Sequence, residues 1–210
     1  MSDINYNQIL DGLLWQLEKY NQVFRKSTQP FKKAEIINHF PEYKFNFDDK
    51  TIRETLLEHV GCLPIVATYL HQYIDKPIDL GKVLIMLSIH DIGELVVGDE
   101  IFFNKQKQVN DNEFEAALNL LPEYQKEYFI ELEKNQTNEA KFANSVDKLV
   151  PSLLELFLGK EATIDRVSAQ TGWEKSEVLE KIKISKQPFV LWSDFMYNFT
   201  NLVFERMEQS

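Results

Sequence analysis

The chain has 210 residues and a mass of 24.7 kDa, enough for one domain, or one domain with an added helical lobe, and for a core that needs no staples. Its 44% hydrophobic and 27% charged residues are ordinary for a globular chain, and its Gly 7 is about half what average usage gives, which speaks against a sandwich or barrel and for long helices. With 23 basic against 33 acidic residues the net charge is -10, a surface that repels a nucleic-acid polymer but leaves small anions to a local pocket or a metal.

The one cysteine, Cys62, has no partner for an internal disulfide, which suits a reducing compartment. The first ten residues, MSDINYNQIL, lack the basic start and apolar stretch of a signal peptide. The longest apolar run, Val83 to Leu87 extended by Ile89, is far too short to span a bilayer. A cytoplasmic protein without a membrane segment is expected.

Along the chain the apolar spacing is helical. Ile9, Leu13, Leu14 and Leu17 mark a first helix over roughly residues 3–26, ended by Ser27-Thr28-Gln29-Pro30. A short segment, Lys33–Phe40, stops at Pro41, and an aromatic stretch, Tyr43-Lys44-Phe45-Asn46-Phe47, leads on. Phe45 and Phe47 suit a cover over a pocket as well as a staple for the following helix. Asp48 or Asp49 caps that helix, which runs to about Ile74 with a kink at Pro64. Asp75-Lys76-Pro77 forms a turn, and Asp79 caps a helix bearing Val83, Leu84, Met86, Leu87 and Ile89, apolar nearly all round and therefore buried. Gly98 ends this pattern and residues 99–110 read as polar loop. Further helices are expected at 111–121, 122–134, 138–158, 162–171, 174–186 and 188–208. The fold class is all-α. In the last helix Trp192, Phe195, Phe199 and Phe204 recur near helical spacing, a stripe for core packing or a homodimer contact rather than for base stacking.

Four positions carry candidate chemistry: His59, the adjacent pair His90-Asp91, and Asp147. His59 and His90 lie about 17 residues before and 14 after the turn near residue 76, roughly 25 and 21 Å along the helices at 1.5 Å per residue. On facing antiparallel helices they end at one level and can share a metal. Asp147 falls on the face marked by Ala143, Val150 and Leu154, where an inward carboxylate needs a positive partner. Two His and two Asp form a borderline nitrogen and oxygen set suited to Mn²⁺, Fe²⁺, Co²⁺, Ni²⁺ or Zn²⁺ and poorly to Ca²⁺. Taken singly, each has a plainer reading as a hydrogen-bonded core histidine or a solvated aspartate. Glu94 is one turn after His90 and Asp91, hence on their side of the helix. His71, near its helix end and about three turns from His59, reads as a surface residue.

The pattern His … His-Asp … Asp on separate helices resembles the HD-domain metal-dependent phosphohydrolases. Within them, His90-Asp91-x-x-Glu94-x-x-x-Gly98-Asp99 is similar to the deoxynucleoside 5′-monophosphatase branch. Arg53 upstream of Glu58-His59, Glu115-Ala116, and Glu139 ahead of Asp147-Lys148-Leu149 extend the likeness. It covers about residues 50–158, which divides the chain into an N-terminal helical extension (1–49, containing Phe31-Lys32-Lys33), the HD core and a C-terminal helical segment (159–210) packing on it. The resemblance implies that His59, His90, Asp91 and Asp147 bind one metal, that Glu94 is the general acid or base, that Asp99 orients water or binds the sugar, and that Arg53 contacts the phosphate.

A divalent ion lowers the pKa of bound water from 15.7 towards about 7 and screens a phosphate, and four protein ligands on an octahedral ion leave two positions open. Lys148 adds positive charge near the phosphate in one reading and is a solvated neighbour of Asp147 in the other. A two-metal version would need more histidines than His39 and His71 supply. The expected function is therefore phosphate removal from a small nucleotide, foremost a (deoxy)nucleoside 5′-monophosphate. The alternatives are hydrolysis of nucleoside triphosphates, cyclic nucleotides or (p)ppGpp, and a non-catalytic metal-binding helical scaffold.

Overall fold

Helix after helix follows along the chain in the structure, a computed structural model that describes residues 4–22, 56–98 and 107–209. They are α1 (Tyr6–Gln22), α2 (Leu56–His71), α3 (Leu80–Ile89), the four-residue α4 (Glu94–Val97), α5 (Lys107–Leu120), α6 (Glu123–Lys134), α7 (Asn138–Leu158), α8 (Lys160–Thr171), a 3₁₀ turn at Lys175–Glu177, α9 (Val178–Val190) and α10 (Asp194–Gln209). No strand occurs among the described residues. The expectations for Lys33–Phe40, His39, Phe45, Phe47, the Asp48/Asp49 cap, Arg53 and Asp99 lie outside the described residues.

Everything is arranged around α7, which packs against α2, α3, α6, α8, α9 and α10. Its sequence allows this because apolar residues recur on more than one face: Ala140, Phe142, Ala143, Val146, Leu149, Val150 and Leu153 are all buried. They meet Leu63, Val66 and Leu70 of α2, Val83, Met86 and Leu87 of α3, Phe195, Phe199 and Val203 of α10, and Leu10 and Leu13 of α1. Each Val, Leu, Met or Phe among them contributes about 1.5–3 kcal/mol when fully buried. The aromatic stripe of the C-terminal helix is thus core: Phe195, Phe199 and Phe204 are all buried, and Phe195 stacks on Tyr6 and Tyr73.

Local chemistry sets the register of the three central helices. Asp79 caps α3 by accepting from the Lys82 N–H at 3.2 Å, and Thr137 caps α7 by accepting from Ala140 N–H at 3.2 Å. The start of α7 is then tied to the turn between α2 and α3: Asp79 N–H donates to Glu139 Oε1 at 2.9 Å, and Asn138 Nδ2 donates to the Pro77 carbonyl at 3.3 Å. Gly159, at φ 84°, ends α7 in a conformation that L side chains rarely adopt.

Four expectations are corrected. The helix after the polar loop begins at Lys107 rather than 111. The break expected between 186 and 188 falls at 191–193, because α9 runs through Pro188 to the buried Val190. Pro188 deprives only the carbonyl of Ile184 of its donor, and Ile184 is exposed, so water can replace it. His71 is half-buried, its ring packed on Phe142 and Nε2 3.4 Å from the Ile78 carbonyl, rather than on the surface. Lastly, α3 does not continue through Glu94. It stops at Ile89, and residues 90–93 form tight i→i+3 turns, Ile92 N–H to Ile89 O at 3.2 Å and Glu94 N–H to Asp91 O at 3.0 Å.

Candidate metal centre

Three helices start or end at one turn, and their functional residues stand at similar heights above it. Asp147 is nine residues into α7, His90 ten beyond the start of α3, and His59 twelve back from the end of α2, or roughly 14, 15 and 18 Å at 1.5 Å per residue. The side chains converge accordingly. His59 Nε2 is 3.2 Å from Asp147 Oδ1 and 3.7 Å from Asp91 Oδ2. His90 Nε2 is 2.8 Å from Asp91 Oδ2 and 3.4 Å from Asp147 Oδ1. The two imidazole rings lie 5.5 Å apart between centroids.

The hydrogen bonding orients His90. Its Nδ1 lies 2.9 Å from the Leu87 carbonyl oxygen and donates to it, which leaves the Nε2 lone pair aimed at the carboxylates. That nitrogen is buried and makes no hydrogen bond of good geometry. A lone pair facing two carboxylates is repulsive unless a cation stands among them. Burial alone would depress the imidazolium, yet with no cation among them the charges of Asp147 and Asp91 outweigh it, so His90 is pushed up to about 10. Burial likewise opposes ionisation of Asp147, but the charge of Lys148, a hydrogen bond from His59 and the charge of His90 hold it well below the usual carboxylate range.

Ligand atoms of His59, His90 and Asp91 all lie within 4.8 Å of one another, and Asp147 approaches both imidazoles. This His/Asp cluster is positioned to chelate a single divalent metal ion, and the orphaned Nε2 of His90 fits such an ion better than it fits any protein partner. A family model for the HD domain matches residues 46–183, about two thirds of the chain.

The chain belongs to the HD-domain family. The match extends beyond position 158, the expected end of the core, through α8 and into α9. A crystal structure described as a "predicted metal-dependent phosphohydrolase" from Magnetospirillum magnetotacticum shares the fold, with a TM-score of 0.60 and 20% identity over 97% of this chain and 96% of that one. No curated protein matches this sequence. Family, fold and ligand cluster together class this chain as an HD-domain protein with a candidate metal centre.

Around the four converging residues the HD-domain protein adds charge of both signs. Lys148 Nζ pairs with Asp147 Oδ2 at 2.7 Å and stands 5.8 Å from the centre of the Phe189 ring. Burial works against its ammonium, but Asp147, Asp91 and Glu94 raise it above the ordinary lysine value. Lys148 is therefore part of the cluster's electrostatics, not merely a solvated neighbour. Glu94 is near Asp91 as expected, although a tight turn rather than a continuous helix brings it there.

Glu113 is the residue that sequence reading missed. Its carboxylate lies with those of Asp91 and Glu94 within 4.8 Å, delivered from α5, which packs on α4. No spacing rule ties it to the His-Asp motif, and the nearby Glu115 that the resemblance did pick out is exposed. Glu139 has a structural task, accepting the Asp79 N–H. No helix among the described residues is long and apolar enough to cross a membrane.

Proposed function

We propose that this protein is a cytoplasmic hydrolase that removes phosphate from small nucleotides, a deoxynucleoside 5′-monophosphate foremost, with His59, His90, Asp91 and Asp147 as ligands of one divalent ion. The observation that carries the reading is the approach of both imidazoles to both aspartates from α2, the turn that ends α3, and α7. The branch assignment is supported by Glu94 and by Gly98-Asp99 following the His-Asp pair at the branch's spacing.

When bound, the ion lowers the pKa of a water and screens the phosphate charge. Glu94, beside Asp91, takes a proton from the attacking water and returns one to the departing 5′ oxygen. The bond from water oxygen to phosphorus forms as the ester bond from phosphorus to the 5′ oxygen breaks, giving a nucleoside and inorganic phosphate. Lys148 offsets the charge of the bound phosphate, Arg53 contacts the same phosphate, and Asp99 orients the water or holds the sugar. Residues 50–158 carry the groups that act on the substrate.

The test is product analysis on the full-length chain, freed of metal and then given Mn²⁺ or Co²⁺, with nucleoside mono-, di- and triphosphates and cyclic nucleotides. Inorganic phosphate from monophosphates, absent without metal and in His90→Ala and Asp147→Asn, supports the reading. Pyrophosphate or triphosphate release, or opening of a cyclic ester, overturns the monophosphatase assignment. Metal binding without turnover of any of these overturns the enzyme reading and leaves a scaffold.

A further inference from the structure

Pro151 sits inside α7, four residues after Asp147. It has no N–H to offer the Asp147 carbonyl and its ring crowds that carbonyl, so the helix is loosened in the very turn that carries the site. Something outside α7 must hold that turn in place, and α9 reaches it from the C-terminal segment. Lys186 Nζ donates to the carbonyl oxygen of Lys148 at 2.5 Å. One turn further on, the ring of Phe189 lies 5.8 Å from Lys148 Nζ, and its carbonyl accepts from Ser145 Oγ at 2.5 Å. Trp192 Nε1 also donates to Ser145 Oγ, at 2.8 Å. These contacts fall on both sides of Asp147.

A buried ammonium is a costly way to anchor a helix, and an apolar residue would pack α9 onto α7 without that cost. Lys186 is only 9% exposed, and two carboxylates favour its protonated form by their charge: Glu155 of α7, itself buried and paired with Arg166 of α8, and to a smaller extent Asp147. Burial pushes Lys186 down to about 8, with Glu155 and Asp147 opposing and the charges of Lys148 and Arg166 adding to the fall. A charge kept under those conditions, with its hydrogen bond spent on the residue after Asp147, has a purpose beyond cohesion.

We infer that Lys186 and Phe189 are positioning residues for the metal centre: the face of α9 fixes the loosened turn of α7 so that Asp147 meets the two imidazoles and Lys148 stays beside it. The C-terminal segment is on this account part of the site. The inference rests on the reading of Asp147 as a metal ligand.

The experiment measures Mn²⁺ affinity by calorimetry on the full-length chain, with circular dichroism to check folding, for wild type, Lys186→Met, Lys186→Arg, Phe189→Leu, Asp147→Asn and the double variant Lys186→Met/Asp147→Asn. Lys186→Met is expected to weaken Mn²⁺ binding by about 10–100-fold, the range for residues that orient a metal ligand. Lys186→Arg, which keeps a donor and a charge, restores most of that loss. In the Asp147→Asn background Lys186→Met adds nothing, because it acts through the side chain already changed. Wild-type affinity in a folded Lys186→Met variant, with Asp147→Asn weakened, overturns this inference alone. Wild-type affinity in Asp147→Asn overturns the ligand reading and the inference with it. Should Lys186→Met not fold, Phe189→Leu decides: a severalfold weaker affinity supports the positioning role, and an unchanged one overturns it.

Discussion

A Cβ placed on Gly93 would stand 2.8 Å from Glu113 Cγ and closer still to the Glu113 carbonyl oxygen. The turn after His90-Asp91 and helix α5 therefore touch backbone to backbone, and only glycine permits it. This contact brings Glu113 to Asp91 and Glu94. Gly93→Ala must push α5 outward at a cost of about 1–3 kcal/mol, as overpacking does. Thermal unfolding is expected to show that loss together with reduced phosphate release. A variant as stable and active as wild type would mean that α5 has room to move.

His90 gives the metal-free protein a pH dependence. Its folded value near 10 lies above the ordinary 6.5, so its protonation contributes stability that is whole below pH 6.5 and lost as pH rises through 10. Lys186 works in the opposite direction between about 8 and its ordinary 10.5, where deprotonation relieves a buried charge. The difference between wild type and His90→Asn isolates the histidine. Wild type should lose more melting temperature than the variant between pH 7 and 10. Because a metal and a proton compete for Nε2, Mn²⁺ affinity should also climb over that interval, and calorimetry in buffers of differing ionisation enthalpy should detect proton release.

Glu94 is assigned proton transfer, a role worth about 10²–10⁴-fold in rate. Glu94→Gln should lower kcat by that order and leave Mn²⁺ affinity within a few-fold of wild type. Equal loss of both would make it a metal ligand instead.

Lys148 pairs with Asp147 at 2.7 Å. Lys148→Met should raise KM for a nucleoside monophosphate more than it lowers kcat, since the charge is present for ground and transition states alike. A fall in kcat at constant KM would place its action in the transition state only.

Much of this was legible from residue order. Helical spacing, the Asp79 cap and the equal reach of His59 and His90 from one turn depend on local rules, and those rules held. Asp147 was legible because its apolar neighbours Ala143 and Val150 mark an inward face. The remainder depends on contacts between distant segments. Nothing in the order of residues shows that Gly93 admits Glu113, or that Lys186 ends on a carbonyl beside Asp147. Pro188 likewise signalled a break that burial of Val190 overrode.

The most direct test is X-ray absorption on the chain loaded with Co²⁺ and freed of excess metal. The account predicts one cobalt per chain, with a first shell of two imidazole nitrogens and carboxylate oxygens, and loss of one imidazole in His59→Ala. A shell without imidazole scattering, or one unchanged in that variant, would contradict it.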